Sequence, residues 1–263
     1  KFYADIKTNT GGTGTLNLNV AGISIATIGE ADKSLKAVNF NADSTVTDNL
    51  YALAIGIADG VSASFPATDA DIAITLNGVN ATMDVDDGSN INSDISGANA
   101  GDGIINFAGS STITGTIGAP AAVGAINANG DANSTITFTN SVAANNLNMG
   151  EGAVELQNTF TGDVASTANG GTLSATTITG NLDFTNGGTV TSATSITGNA
   201  TLASDAIITT IGDIGGNATL SGTSTATSTG TVGGNLDVSG SARFIGHATN
   251  TDITGTVIIN SDA

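Results

Sequence analysis

Residues 178–220 read ITGNLDFTNGGTVTSATSITGNATLASDAIITTIGDIGGNATL. Gly-Asn returns at an 18-residue step, at Gly180-Asn181, Gly198-Asn199, Gly216-Asn217 and Gly234-Asn235. A finer period lies beneath it. Every sixth residue from Ile178 is apolar: Phe184, Val190, Ile196, Leu202, Ile208, Ile214, Leu220, Ala226, Val232, Val238 and Phe244 follow. In a chain that is 39% hydrophobic, so long a six-spaced run is hard to obtain by chance. Three sixes make eighteen, so the spacing predicts a three-sided coil that repeats its own geometry.

Each six-residue unit has a second inward position at its fifth residue. That position is small or moderate in size: Leu182, Gly188, Thr194, Ala200, Ala206, Gly212 and Ala218 occupy it in turn. One large and one small inward side chain per side suit a narrow solenoid. Its coils stack about 4.8 Å apart and pair as parallel strands. Asn181, Asn199, Asn217 and Asn235 then fall on one corner, where each side-chain amide can donate to the next as a ladder. The preceding glycine supplies the positive φ that a corner needs. Gly162-Asp163 extends the register upstream. Ile253-Thr-Gly255-Thr resumes it downstream, after a three-residue slip near His247.

Composition agrees with this geometry. The 263 residues include 36 Gly, only 11% charged residues and 4% aromatics. Strong helix formers are scarce, whereas Thr, Val and Ile favour strands and Gly, Asn and Asp favour turns. With 23 acidic and 5 basic residues the net charge is −18, and nothing basic lies between Ala37 and Ala242. No cationic surface exists to neutralise phosphates, which argues against nucleic acid and anionic membranes as partners. There is no cysteine, so disulfides and thiolate chemistry are excluded. No apolar run is long enough for a membrane-spanning helix. The start at Lys1, without a signal-peptide hydrophobic region, reads as a mature or excised form.

The first half is less regular but also repeats. Gly14 through Ile28-Gly29 and Ala37-Val-Asn-Phe40 resemble Gly103 through Ile117-Gly118 and Ala125-Ile-Asn127, an offset of roughly ninety residues. Segment 58–100 is the most acidic and loop-like. The expected fold is therefore all-β: a parallel β-helix (β-solenoid) over 101–263, with triangular coils of about 18 residues in the C-terminal part. Residues 1–100 are expected to be a strand-rich N-terminal region with an acidic insertion or cap.

The phrases Gly103-Ile-Ile-Asn-Phe-Ala-Gly-Ser-Ser-Thr-Ile-Thr-Gly-Thr-Ile-Gly118, Leu35-Lys-Ala-Val-Asn-Phe40 and Val46-Thr-Asp-Asn-Leu-Tyr-Ala52 resemble repeats of rickettsial outer-membrane protein A/B (surface cell antigen) autotransporter passengers. The resemblance covers most of 10–200 in style. It implies a secreted, surface-exposed β-helical passenger with adhesive or surface-layer roles, and it carries over no catalytic residue. The six-residue register is also similar to hexapeptide and bactofilin-like triangular solenoids. Handedness stays open, since six-residue sides fit a left-handed coil and passengers a right-handed one.

The best metal candidate is Asp84-Val-Asp86-Asp87-Gly88-Ser-Asn90. Clustered carboxylates with a glycine turn and Asn carbonyls suit Ca²⁺, a hard cation that takes oxygen ligands, with Asp69, Asp71 and Asp94 as further donors if the chain folds back. The bland alternative is an acidic turn. His247, the only histidine, stands at the register break with no acidic partner in sequence, and a hexapeptide-type transferase is the least favoured reading. No catalytic residue or organic cofactor is expected. The favoured function is a secreted bacterial cell-surface structural protein or adhesin that meets a host or neighbouring cell. The alternative is a filament or matrix-fibre subunit, because Thr254-Gly-Thr-Val-Ile-Ile-Asn260 presents a strand edge that invites head-to-tail or lateral assembly.

Overall fold

The structure, a computed structural model, describes residues 5–65, 67–68, 72–228, 230–246 and 252–260. Among these, every regular element is a β-strand. The strands stack in parallel, each pairing with the equivalent segment one coil earlier and one coil later. The chain is a parallel β-solenoid. It divides into two compact units: Lys1–Asn127 with Ile136–Asn145, and Ala128–Thr135 with Asn146–Ala263.

The second unit contains the regular register. One side of the coil is built by the short strands Leu182–Phe184, Ala200–Leu202, Ala218–Leu220 and Leu236–Ser239. Leu182 pairs with Ala200, Ala200 with Ala218 and Ala218 with Leu236, each a step of 18. The strands Thr172–Thr179, Thr189–Ile196 and Ile207–Ile214 form the rest of the circuit. From Ile178 to Val232 the six-spaced apolar residues are all buried. Each large member contributes roughly 1.5–3 kcal/mol on burial, and the column runs down the axis of the stack.

The small inward residue follows expectation on two sides of the coil but not on the third. Thr194 is exposed and Gly212 half-buried, while Ala193 and Ile211 turn inward. The long strands round a corner here without turn residues. Register shifts at Leu173/Ser174 and Ile208/Ile211 insert a residue and change which side chains face inward. Downstream, Val232 pairs with Ile253 and Leu236 with Val257, a step of 21. Those three added residues are the slip expected near His247, which itself lies outside the described residues.

The first unit uses the same architecture with unequal coils. The step from Ile6 to Ile28 and from Ile28 to Leu50 is 22, from Leu35 to Ala52 it is 17, and from Ile117 to Val142 it is 25. The acidic stretch 58–100, expected as an insertion or cap, belongs to the stack. Ala73–Asn77 pairs with Ala54–Ala58 before it and Asp94–Gly97 after it. Carboxylates at coil corners give it a loop-like composition. The ninety-residue duplication has a structural counterpart in Gly29 and Gly118, which have φ of +79° and +80°. Their N–H groups donate to Ile6 and Ile95 at 2.7 Å. In each, a Cβ would strike a carbonyl of the next coil, that of Tyr51 or Ala143, so only glycine fits.

Candidate functional site

A coil corner is where parallel pairing is hardest to maintain, because the backbone turns and its N–H groups lose their carbonyl partners. Asx side chains fill the gap. Asn181 Oδ1 accepts from the Asn199 N–H at 2.9 Å, Asn199 Oδ1 from the Asn217 N–H at 2.8 Å, and Asn217 Oδ1 from the Asn235 N–H at 2.8 Å. The row begins at Asp163, whose Oδ1 accepts from both the N–H and the Nδ2 of Asn181, and it runs on from Asn235 to the Thr256 N–H. The ladder at these four asparagines thus differs from the expected one. Its donor is the backbone of the next coil, so it is a relay between side chain and main chain.

The glycines have a different role from the one expected as well. Of Gly180, Gly198, Gly216 and Gly234, only Gly180 has a positive φ, at 156°. Space is the reason for the other three. A Cβ on Gly198 would lie 2.5 Å from Asn181 Oδ1, and on Gly216 or Gly234 it would collide with Oδ1 of Asn199 or Asn217. The amide must cross the next coil's Cα to reach the following N–H, so Gly and Asn are required together.

The metal-candidate segment uses the same device. Asp87 Oδ1 accepts from the Ser110 N–H at 2.7 Å, and Gly109 leaves room for it. Asp213 does likewise toward Thr231, beside Gly230. Asp84 belongs to a second kind of row, in which the side-chain amide does donate. Asn106 Nδ2 donates to Asp84 Oδ1 and Asn127 Nδ2 to Asn106 Oδ1, both at 2.8 Å, as Asn39 does to Asn17. Asp86 and Asn90 are exposed. Asp94 Oδ1 takes the Thr116 N–H at 2.7 Å, while Asp69 and Asp71 lie outside the described residues. Among the described residues, no three acidic or histidine side chains converge as a metal-ligand group.

A concavity lies on the first unit. Its outer side carries the strands Ile23–Ile25, Ser44–Val46, Ser62–Ser64 and Thr82–Val85 in register. Ser24, Thr45, Ser64 and Asp84 form one outward column across them. With Asp43 and Ser62 they line a cleft of about 230 Å³. Gly22 and the short Ser and Thr side chains leave the space. Asp43 Oδ1 accepts from the Ser62 N–H at 2.8 Å, and the Ser62 hydroxyl donates to Asp84 Oδ2. Both carboxylates therefore converge on Ser62.

Three charged groups elsewhere have shifted pKa values. The hydrogen bond and charge of Lys7, 2.8 Å away, hold the Glu30 carboxyl below its usual value and raise Lys7. The Ser134 hydroxyl and then the Asn133 N–H hold Asp131 low. All three groups are at the surface. No protein-family model matches the chain, and neither a curated protein nor a solved structure does.

Proposed function

We propose that this chain is a structural and adhesive element of a bacterial cell exterior, of the kind formed by autotransporter-type passengers or surface layers. The relay is the observation that carries the reading. Polar side chains from Asp163 to Asn235 are engaged in holding one coil to the next, the last of them accepting from the Thr256 N–H. Such a construction suits a hydrated surface, and the net charge of −18 favours solubility and mutual repulsion. No catalytic role is assigned. Antibodies raised against the chain should label intact cells of the source bacterium, and protease applied outside should remove the signal. Labelling only after the cells are broken would overturn the reading.

A second reading, self-association, is favoured by Val257 and Ile259. They continue the inward column of Leu236 and Val238, yet are 49% and 75% exposed. A further coil or a second copy would cover such an edge. Sedimentation of the chain beside a Val257→Asp, Ile259→Asp double variant tests it. Fibres from the wild type alone support association, and a monomer at all concentrations contradicts it.

A further inference from the structure

We infer that the cleft on the first unit is a binding site for one ring of a neutral saccharide. The inference rests on the surface-display reading and supplies it with a ligand class. The walls present the hydroxyls of Ser24, Thr45 and Ser64, each able to donate and accept, and that of Ser62, whose proton goes to Asp84 and whose oxygen can accept. Asp43 and Asp84 add carboxylates, which accept strong hydrogen bonds from vicinal hydroxyls. Ile23 gives an apolar patch for a sugar's C–H face. At about 230 Å³ the space is below the ~300–1,000 Å³ of drug-sized ligand pockets, so it takes one ring and not a folded chain.

The chemistry separates this ligand from its competitors. An anionic sugar is repelled by both carboxylates and by the net charge of −18. A cation would meet only two acidic side chains here, both engaged with protein donors, since among the described residues no three acidic or histidine groups converge. Asp43 Oδ1 takes the Ser62 N–H, while Asp84 takes the Ser62 hydroxyl on one oxygen and Asn106 Nδ2 on the other. Each carboxylate oxygen has a second lone pair, and a sugar hydroxyl needs only that. No aromatic ring lines the cleft, so the affinity for an isolated ring is on the order of millimolar. An array of such surfaces on a cell gains strength by multivalency.

The test uses the purified chain with the methyl glycosides of glucose, galactose, mannose and N-acetylglucosamine. Binding is followed by saturation-transfer NMR and calorimetry. Galacturonate, N-acetylneuraminate and calcium chloride are the comparison ligands. At least one neutral glycoside should bind saturably, with or without EDTA. Ser64→Leu, which fills the cleft, and Asp43→Asn, which keeps its shape, should each weaken binding by roughly tenfold or more. The isosteric variant gives the answer if the leucine variant does not fold. Three results overturn the inference: no saturable binding by any of the four, undiminished binding by both variants, or stabilisation by calcium alone. The measurement needs no knowledge of where the protein resides, so this inference and the surface reading can fail separately.

Discussion

Asn217 shows what one residue contributes to this fold. Its Oδ1 is the acceptor for the Asn235 N–H, and alanine there leaves that donor without a protein partner. Asn217→Ala should cost about 1–2 kcal/mol, with faster hydrogen exchange at the Asn235 amide. Asn217→Asp keeps an acceptor oxygen, as Asp163 does at the head of the row, and should be nearly neutral. Gly216→Ala drives a Cβ into Asn199 Oδ1 and the Gly198 backbone, at a cost of about 1–3 kcal/mol. Combined with Asn199→Ala it should be less than additive in urea unfolding, because the first collision is gone. Ser204 makes the opposite case. It holds φ at +52°, where Gly222 and Gly240 stand at +65° and +64° in later coils. Ser204→Gly should stabilise the protein, by at most about 1 kcal/mol, since the left-handed conformation is costly for a side chain. Asp131 adds a pH dependence. Its carboxyl is held low in the folded state, so its stabilisation is complete above the ordinary value of about 3.9 and is lost as pH falls through the lowered one. Asp131→Asn should flatten the acid limb of a stability–pH curve, and an unchanged limb would refute the assignment.

At the scale of strands and corners, legibility in the sequence followed the constancy of the step. From Ile178 to Val232 the six-spaced residues keep a step of 18, with one 17-residue pairing between them at Ile211 and Ser228, and the six-spaced column named its buried residues correctly. In the first unit the steps run from 17 to 25, so no single period adds up along the chain. The acidic stretch looked like an insertion because Asp at a corner has the composition of a loop. Asp87 and Asn181 do the same thing, each capping a backbone N–H of the next coil. The cleft was missed for a related reason. Ser24, Thr45, Ser64 and Asp84 are separated by steps of 21, 19 and 20, and only the register places them side by side. The glycine role was misread because sequence shows the residue type and not the approach of a neighbouring coil. A Thr45→Val substitution tests the element view. It retains strand propensity on an outward position, so it should leave stability within about 0.5 kcal/mol while changing the cleft's polarity.

Across the whole molecule, stacked coils make stability a sum of coil terms and coil–coil interfaces, so a coil should be removable as a unit. Residues 200–217 are such a unit. Their removal joins Asn199 to Ala218, restores the sequence Gly-Asn-Ala-Thr-Leu, and brings Asn199 Oδ1 to the Asn235 N–H one coil on. Every inward column keeps its phase. Removing half a coil, 200–208, instead leaves Asn199 and Asn217 9 residues apart and Asn199 and Asn235 27 apart, both outside the steps of 17 to 25 that the stack accommodates, so the strands that meet at the junction cannot pair in register. Urea unfolding of the two deletions, followed by far-UV circular dichroism, is the most direct test of the stacked-coil account. The 18-residue deletion should keep the strand spectrum and a cooperative transition close to that of the full chain, whereas the half-coil deletion should lose strand signal and unfold at clearly lower urea. Equal behaviour of the two deletions would contradict it.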